Sequence, residues 1–246
     1  ILTYKETRNG LGPGGYSSRL SKWLAVGAIS GAEVGNAILQ FEQTVEKNES
    51  TYWLLFELLW RDFFHFLNRK VGVRTFAPSG FLGRRSPGLQ DSLPWQFCSS
   101  NKHMRFDKRD RGLLTTYWQR FRNWAKGQTG ENFVDTMMRE IYFTGELSNR
   151  GRQCAASYLI HDLHLPWWWG AQWFEHLLLD FDVSSNWGNW AYIAGVGADP
   201  RPVRKFNMVV QAERYDSDGS YRKWGKAQGW RVPEESLPIE FPGELY

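Results

Sequence analysis

The stretch from Ser50 to Lys70, STYWLLFELLWRDFFHFLNRK, leaves the backbone little choice. Leu55, Phe56, Leu59, Trp60, Phe63, Phe64 and Leu67 recur every three or four residues. That spacing gathers side chains on one face of an α-helix, whereas a strand would alternate them between two faces. Ser50 or Thr51 has the side chain expected of its N-cap. Similar patterns run through Arg19 to Ile29, Ala32 to Glu46, Leu114 to Lys126, Phe133 to Thr144, Cys154 to Asp162 and Trp169 to Leu179. The expectation is an all-α chain, a compact multi-helix domain.

A chain of 246 residues, 42% of them apolar, can bury a substantial core, so one domain over 1–246 accounts for it. At about 73–112 the periodicity gives way to Gly, Pro, Ser and basic residues, as in APSGFLGRRSPGLQDSLP. An irregular segment of that length inside a domain is expected to be functional or an insertion. From Asp216 onward the chain is turn-rich (DSDGS) and then Pro-punctuated, and is expected to wrap the surface in extended form.

Composition narrows the chemistry. The 14 Trp, 16 Phe and 10 Tyr supply rings for a core, a stacking site or electron transfer. A net charge of +4 and a pI near 9.0 admit an anionic ligand or nucleic acid without requiring either. Cys98 and Cys154 form no CxxC pair and suggest structural thiols in an intracellular, reducing compartment. The longest apolar run, Leu165 to Phe174, is about half a membrane span, so no transmembrane segment is expected and the chain reads as soluble. It begins at Ile1 with neither an initiator Met nor a signal-like stretch, as a processed product or a fragment of a longer polypeptide would.

Several clusters carry chemistry. In SSNWGNWAY, Ser184 to Tyr192, tryptophans and amides crowd together just after Asp180 and Asp182. A packed corner, a sugar platform and a redox cofactor site all suit such a cluster. Glu57 and Arg61 stand four apart on an otherwise apolar helix, either as an intrahelical ion pair or facing a polar ligand. GGYSSRLSKW sets Ser17, Ser18 and Ser21 behind glycines at a helix start, which suits a phosphate. SNRGRQ places Asn149, Arg150 and Arg152 at another helix start, where arginines need an anion or a carboxylate nearby. Asp180 and Asp182 are candidate partners. HDLH, His161 to His164, has a spacing that could hold a metal, but no further ligand set completes a site, and none is expected.

Taken together, YKETRNG, YSSRLSKWLA, ELLWRDFF, NRGRQ, DFDVSSNWGNW and FNMVVQAERYD resemble the helical flavin-binding domain of photolyases and cryptochromes, the DASH type above all. The resemblance covers nearly the whole chain. It implies FAD as cofactor, with Tyr4, Ser17, Ser18, Ser21 and Arg61 around the pyrophosphate. Arg152 and Asp180 would pair over the isoalloxazine, with Asn149 beside them, Asp182 at the polar edge and Asn186 at the flavin N5. Glu57, Trp60, Gln153 and Tyr192 would line the pocket for a flipped pyrimidine dimer, Trp60 stacking and Glu57 bonding a base edge. The implied activity is blue-light reception, or light-driven electron transfer to dimers in single-stranded or looped-out DNA, as in a deoxyribodipyrimidine photo-lyase. DASH-like chains also suggest an organelle, chloroplast or mitochondrion.

Three departures mark this sequence. No segment matches the family's α/β antenna domain. The usual TGYP is TGEN at Thr129 to Asn132. Trp190 and Trp167 match two members of the family's tryptophan relay, but the third position is Leu114. Trp118, one helical turn further on, could replace it as terminal donor, with Tyr117 as a weaker candidate. These departures sustain an alternative: an antenna-less domain serving as a structural or assembly subunit, with a protein partner in place of the antenna domain.

Overall fold

The computed structural model describes residues 1–83, 108–199 and 204–236. Three helices open the chain: α1 (Tyr4–Thr7), α2 (Ser21–Ala25) and α3 (Gly31–Thr44). The aromatic run follows as α4 (Glu49–Val71) and ends in a 3-10 turn at Gly72–Phe76. Then come α5 (Lys108–Ala125), α6 (Asn132–Thr144), α7 (Asn149–His161), α8 (Trp167–Leu177), α9 (Val183–Ile193), α10 (Met208–Tyr215) and α11 (Ser220–Ala227). No strand occurs among the described residues, in keeping with an all-α fold. Residues 84–107 of the irregular segment, Cys98 among them, lie outside the described residues.

Local chemistry moves several boundaries. The cap of α4 is Asn48, not Ser50 or Thr51: its side chain accepts from the N–H groups of Ser50 and Thr51 at 2.9 and 3.1 Å. Thr51 returns the bond to the Asn48 N–H, closing a capping box. The expected Arg19 to Ile29 helix shrinks to α2, because Arg19 sits in the left-handed region (φ 54°) and Gly27 (φ 71°) turns the chain away. The segment after Asp216 is a correction of another kind. Its DSDGS turn leads into α11 instead of an extended strap, and the Asp216 carboxylate accepts from the Tyr221 N–H at 2.8 Å and from Arg222 Nε at 2.6 Å. The TGEN variation also has a local use. Glu131 caps α6 by accepting from the Phe133 N–H, while the buried Asp135 carboxylate accepts from the N–H and hydroxyl of Thr129 and from the Gly130 N–H.

Two apolar groups hold the helices. The larger packs Phe121, Trp124, Phe133, Leu159, Trp167, Trp173 and Phe174 from α5 to α8, every one of them sealed from solvent. The smaller, Leu24, Val34, Ile38 and Leu54, joins α2, α3 and α4. Two glycines set how closely helices meet. A Cβ on Gly170 of α8 would lie 2.2 Å from the Trp190 ring, and one on Gly188 of α9 would lie 2.3 Å from the Phe64 ring.

Candidate flavin and substrate site

A cavity of about 630 Å³ opens between the two groups, within the range of ordinary ligand pockets. One wall is α1, α2 and α4, the other α7, α8 and α9 with the turns before them. Tyr4, Ser17, Ser18, Ser21 and Arg61 line the first wall, with Glu57 and Trp60 further along α4. Asn149, Arg152, Gln153, Asp180, Asp182, Asn186, Trp190 and Tyr192 line the second. Residues far apart in the chain thus share one surface, whereas Trp167 and Trp118 lie behind it.

The second wall is held tightly. Arg152 donates through Nη2 to both oxygens of Asp180 at 2.9 and 2.8 Å, and through Nε to the Leu147 carbonyl at 2.8 Å. Asp180 is nearly buried, so the pair depends on that geometry. Arg150, by contrast, has no carboxylate partner among the described residues. Its guanidinium lies 4.8 Å from the Tyr215 ring and reaches Asn9 at 3.5 Å. Asp182 caps α9 by accepting from the Ser185 N–H at 2.7 Å and meets His65 Nε2 at 2.9 Å. Burial opposes its charge, yet the Ser185 hydroxyl and N–H, His65 and Arg61 hold its carboxyl below the usual value. Asn186 is nearly buried, and its Nδ2 donates to the Ala171 carbonyl at 2.9 Å. The residue is itself part of the cavity lining.

The first wall differs. Glu57 and Arg61 make no ion pair with each other: Arg8 binds Glu57, and Arg61 reaches the Leu24 carbonyl at 3.3 Å and Asp62 at 3.9 Å. Desolvation raises the Glu57 pKa, even against the neighbouring Arg8. Arg8 also lies 4.9 Å over the Trp53 ring. His161 and His164 do not share a helical face, because α7 ends at His161, whose Nε2 meets the Ile193 carbonyl. Among the described residues no three His, Cys, Asp or Glu side chains gather as metal ligands.

Among the cavity residues that sequence reasoning missed are Arg8 and Arg204. Arg204 pairs with Asp199 and stands 4.1 Å from the Tyr192 ring centroid, with its buried Nη2 unpaired among the described residues. Arg8 lies inside the YKETRNG motif but is given no role there, and Arg204 follows a Pro-rich stretch without a motif; an aromatic or carboxylate partner is what would have pointed to them.

Comparison with known proteins gives the class. The family described as the FAD binding domain of DNA photolyase matches residues 53–227, and the chain belongs to it. FAD is the cofactor of this domain. The cavity suits it: serine hydroxyls, Arg61, a fixed Arg–Asp pair and the Asn186 amide all stand in its lining.

Among curated relatives, the chain is 44% identical over 225 residues to Cryptochrome DASH of Synechocystis sp., covering 91% of this chain and 41% of that protein. It is 47% identical to Cryptochrome DASH of Xenopus laevis (91% and 38%), and 39% identical to the chloroplastic/mitochondrial Cryptochrome DASH of Oryza sativa subsp. japonica (100% and 38%). A crystal structure of Synechocystis sp. cryptochrome superposes with a TM-score of 0.75 at 43% identity, over 90% of this chain and 40% of that one. The chain is therefore a DASH-like, FAD-binding cryptochrome homologue that spans about two fifths of the length of these relatives. Among the described residues no helix is long and apolar enough to cross a membrane.

Proposed function

We propose that the protein is a light-driven flavoprotein that transfers an electron to pyrimidine dimers in single-stranded or looped-out DNA. One observation carries this reading: Trp60, Glu57, Gln153 and Tyr192 share a continuous cavity surface with Arg152, Asp180 and Asn186. A flipped base and a flavin would therefore lie in contact. Bound FAD supplies the light-excited electron donor. Arg152 and Asp180 would hold the cofactor's ring system, Asn186 would stand at its N5, and Ser17, Ser18, Ser21, Tyr4 and Arg61 would hold its phosphates. Asn149 and Asp182 complete the polar edge. Trp60, 37% exposed at the mouth, offers its face to a base. Trp190 is the first electron donor on the protein side, with Trp167 and Trp118 further out. The name of the rice relative supports an organellar setting as well.

Two measurements test the reading. Purified protein should absorb in the blue and bind dimer-containing single strands more tightly than undamaged ones. Trp60→Ala should weaken that preference by roughly 1–3 kcal/mol. Equal affinity for damaged and undamaged strands, unmoved by Trp60→Ala, removes the repair reading.

A second reading, a binding subunit in a larger assembly, draws on the exposed apolar residues along α4 and its 3-10 turn, where Phe66 is 71% and Val73 85% exposed. Flavin-free protein that binds no damaged strand would favour it.

A further inference from the structure

Building on the flavin reading, we propose that Trp190 has a second supply of electrons, through Trp124 to the half-exposed indoles Trp118 and Trp169, without passing through Trp167. The contacts form a continuous file of rings. The Trp190 and Trp124 centroids are 6.2 Å apart, edge to face, and Phe174 touches both, at 5.1 and 6.1 Å. Trp124 meets Phe121 at 5.8 Å. Phe121 stacks on Trp118 at 5.3 Å and meets Trp169 at 5.6 Å, and those two indoles touch each other at 5.9 Å. Trp124 and Phe121 are wholly buried, whereas Trp118 and Trp169 reach solvent.

The chemistry of each ring gives the file a direction. Phenylalanine is too hard to oxidise to hold a hole, so Phe121 and Phe174 act as bridges between indoles. The Trp124 Nε1–H donates at 3.2 Å to the Ala155 carbonyl, an acceptor too weakly basic to take the proton. An oxidised Trp124 therefore stays a cation and draws an electron from its neighbours. Trp118 and Trp169 are partly exposed, which brings solvent within reach as the acceptor of an oxidised indole's proton, and the neutral radical that results would be trapped. Tyr117 is a poorer terminus than its place beside Trp118 suggests, because the Arg120 guanidinium lies 5.6 Å from its ring and disfavours a positive charge there. The electrons balance. Trp190 gives one electron to the light-excited oxidised flavin, Trp124 refills Trp190, and Trp118 or Trp169 refills Trp124 and releases H⁺ to water. A small thiol in solution then returns one electron and one proton to the terminal radical.

The test uses the whole chain as purified, with ring-deuterated tryptophan and a thiol reductant. The blue absorption band is recorded first, because a wild-type protein without bound flavin sinks the flavin reading itself and this route with it. With flavin bound, Trp124→Phe should slow light-driven flavin reduction by about tenfold or more, and by more than Trp167→Phe does. It should also remove the long-lived tryptophan radical from the electron paramagnetic resonance spectrum. The paired variant Trp118→Phe, Trp169→Phe should do the same from near the surface, and it carries the test if the buried variant does not fold. Unchanged rates and radical yields in the paired variant, or a Trp167→Phe variant that alone abolishes the radical, overturn the proposal.

Discussion

The two walls of the cavity are built on different physics. Behind α7, α8 and α9 stands a dry aromatic core in which Leu159 is 0% exposed, whereas the apolar group behind α1, α2 and α4 has four buried members among the described residues and its Leu54 is 7% exposed. The first wall compensates with polar ties to the second wall and the turns beside it. Lys22 reaches Glu146 at 2.5 Å, His65 reaches Asp182 at 2.9 Å, and Asn68 donates to Ser184 at 2.9 Å. The groups proposed to hold the flavin ring, the Arg152–Asp180 pair and Asn186, stand on the deep side. Those assigned to flexible phosphates stand on the shallow one. The lesson is that a binding site can divide rigidity from adaptability between its two faces.

The most direct way to break the contrast is a matched truncation. Leu159→Ala should cost about 4–5 kcal/mol and Leu54→Ala about 2–3, because the shallow group can collapse into its cavity and the deep one cannot. Equal losses by denaturant titration would mean that both walls are equally rigid. Next in size, Arg152→Ala leaves Asp180 without its partner and should cost about 3 kcal/mol, with loss of bound flavin on dialysis. Retained colour and stability would show that the pair does not hold the cofactor.

A pH series probes the deep wall through Glu140 of α6, whose carboxylate accepts from the Tyr221 hydroxyl at 2.5 Å. Burial above all raises its pKa to about 7. The folded protein then keeps a proton that the unfolded chain has already released. This contribution is complete below the ordinary carboxyl value and is lost as pH rises from there to about 7, on the order of 3 kcal/mol in all. Glu140→Gln should flatten that decline between pH 5 and pH 8, and an unaltered slope would assign it to another group. The smallest effect is expected for Lys22→Ala, which removes one half-exposed tie and should cost under about 1 kcal/mol. Its informative readout is faster hydrogen exchange in α2, with α7 unaffected.

How much of this was legible depends on whether the determining contact is local. Helix α4 follows from periodicity alone, whereas α9 was not among the expected helices, and its Asp182 cap emerges only in the structure. Helix α11 was hidden because DSDGS reads as a turn, and what makes the next eight residues helical is the Asp216 carboxylate together with burial of Tyr221. The cavity residues came from resemblance, since nothing in the spacing of Ser17, Glu57 and Arg152 says that they meet. Arg8 was illegible for a similar reason: its partner Glu57 is 49 positions away. The file through Trp124 was legible only as aromatic abundance, because which rings touch is settled by how α5, α8 and α9 pack.

The glycine at position 170 ties these regions together. The Trp190 ring rests where a side chain would otherwise be, and that ring is at once a wall of the cavity and the first member of both proposed electron routes. Even a methyl group there would have to move the indole, altering the shape of the binding site and the spacing of the rings together. Cavity shape and electron supply therefore cannot be tuned independently at this point, and selection on either would act as a constraint on the other.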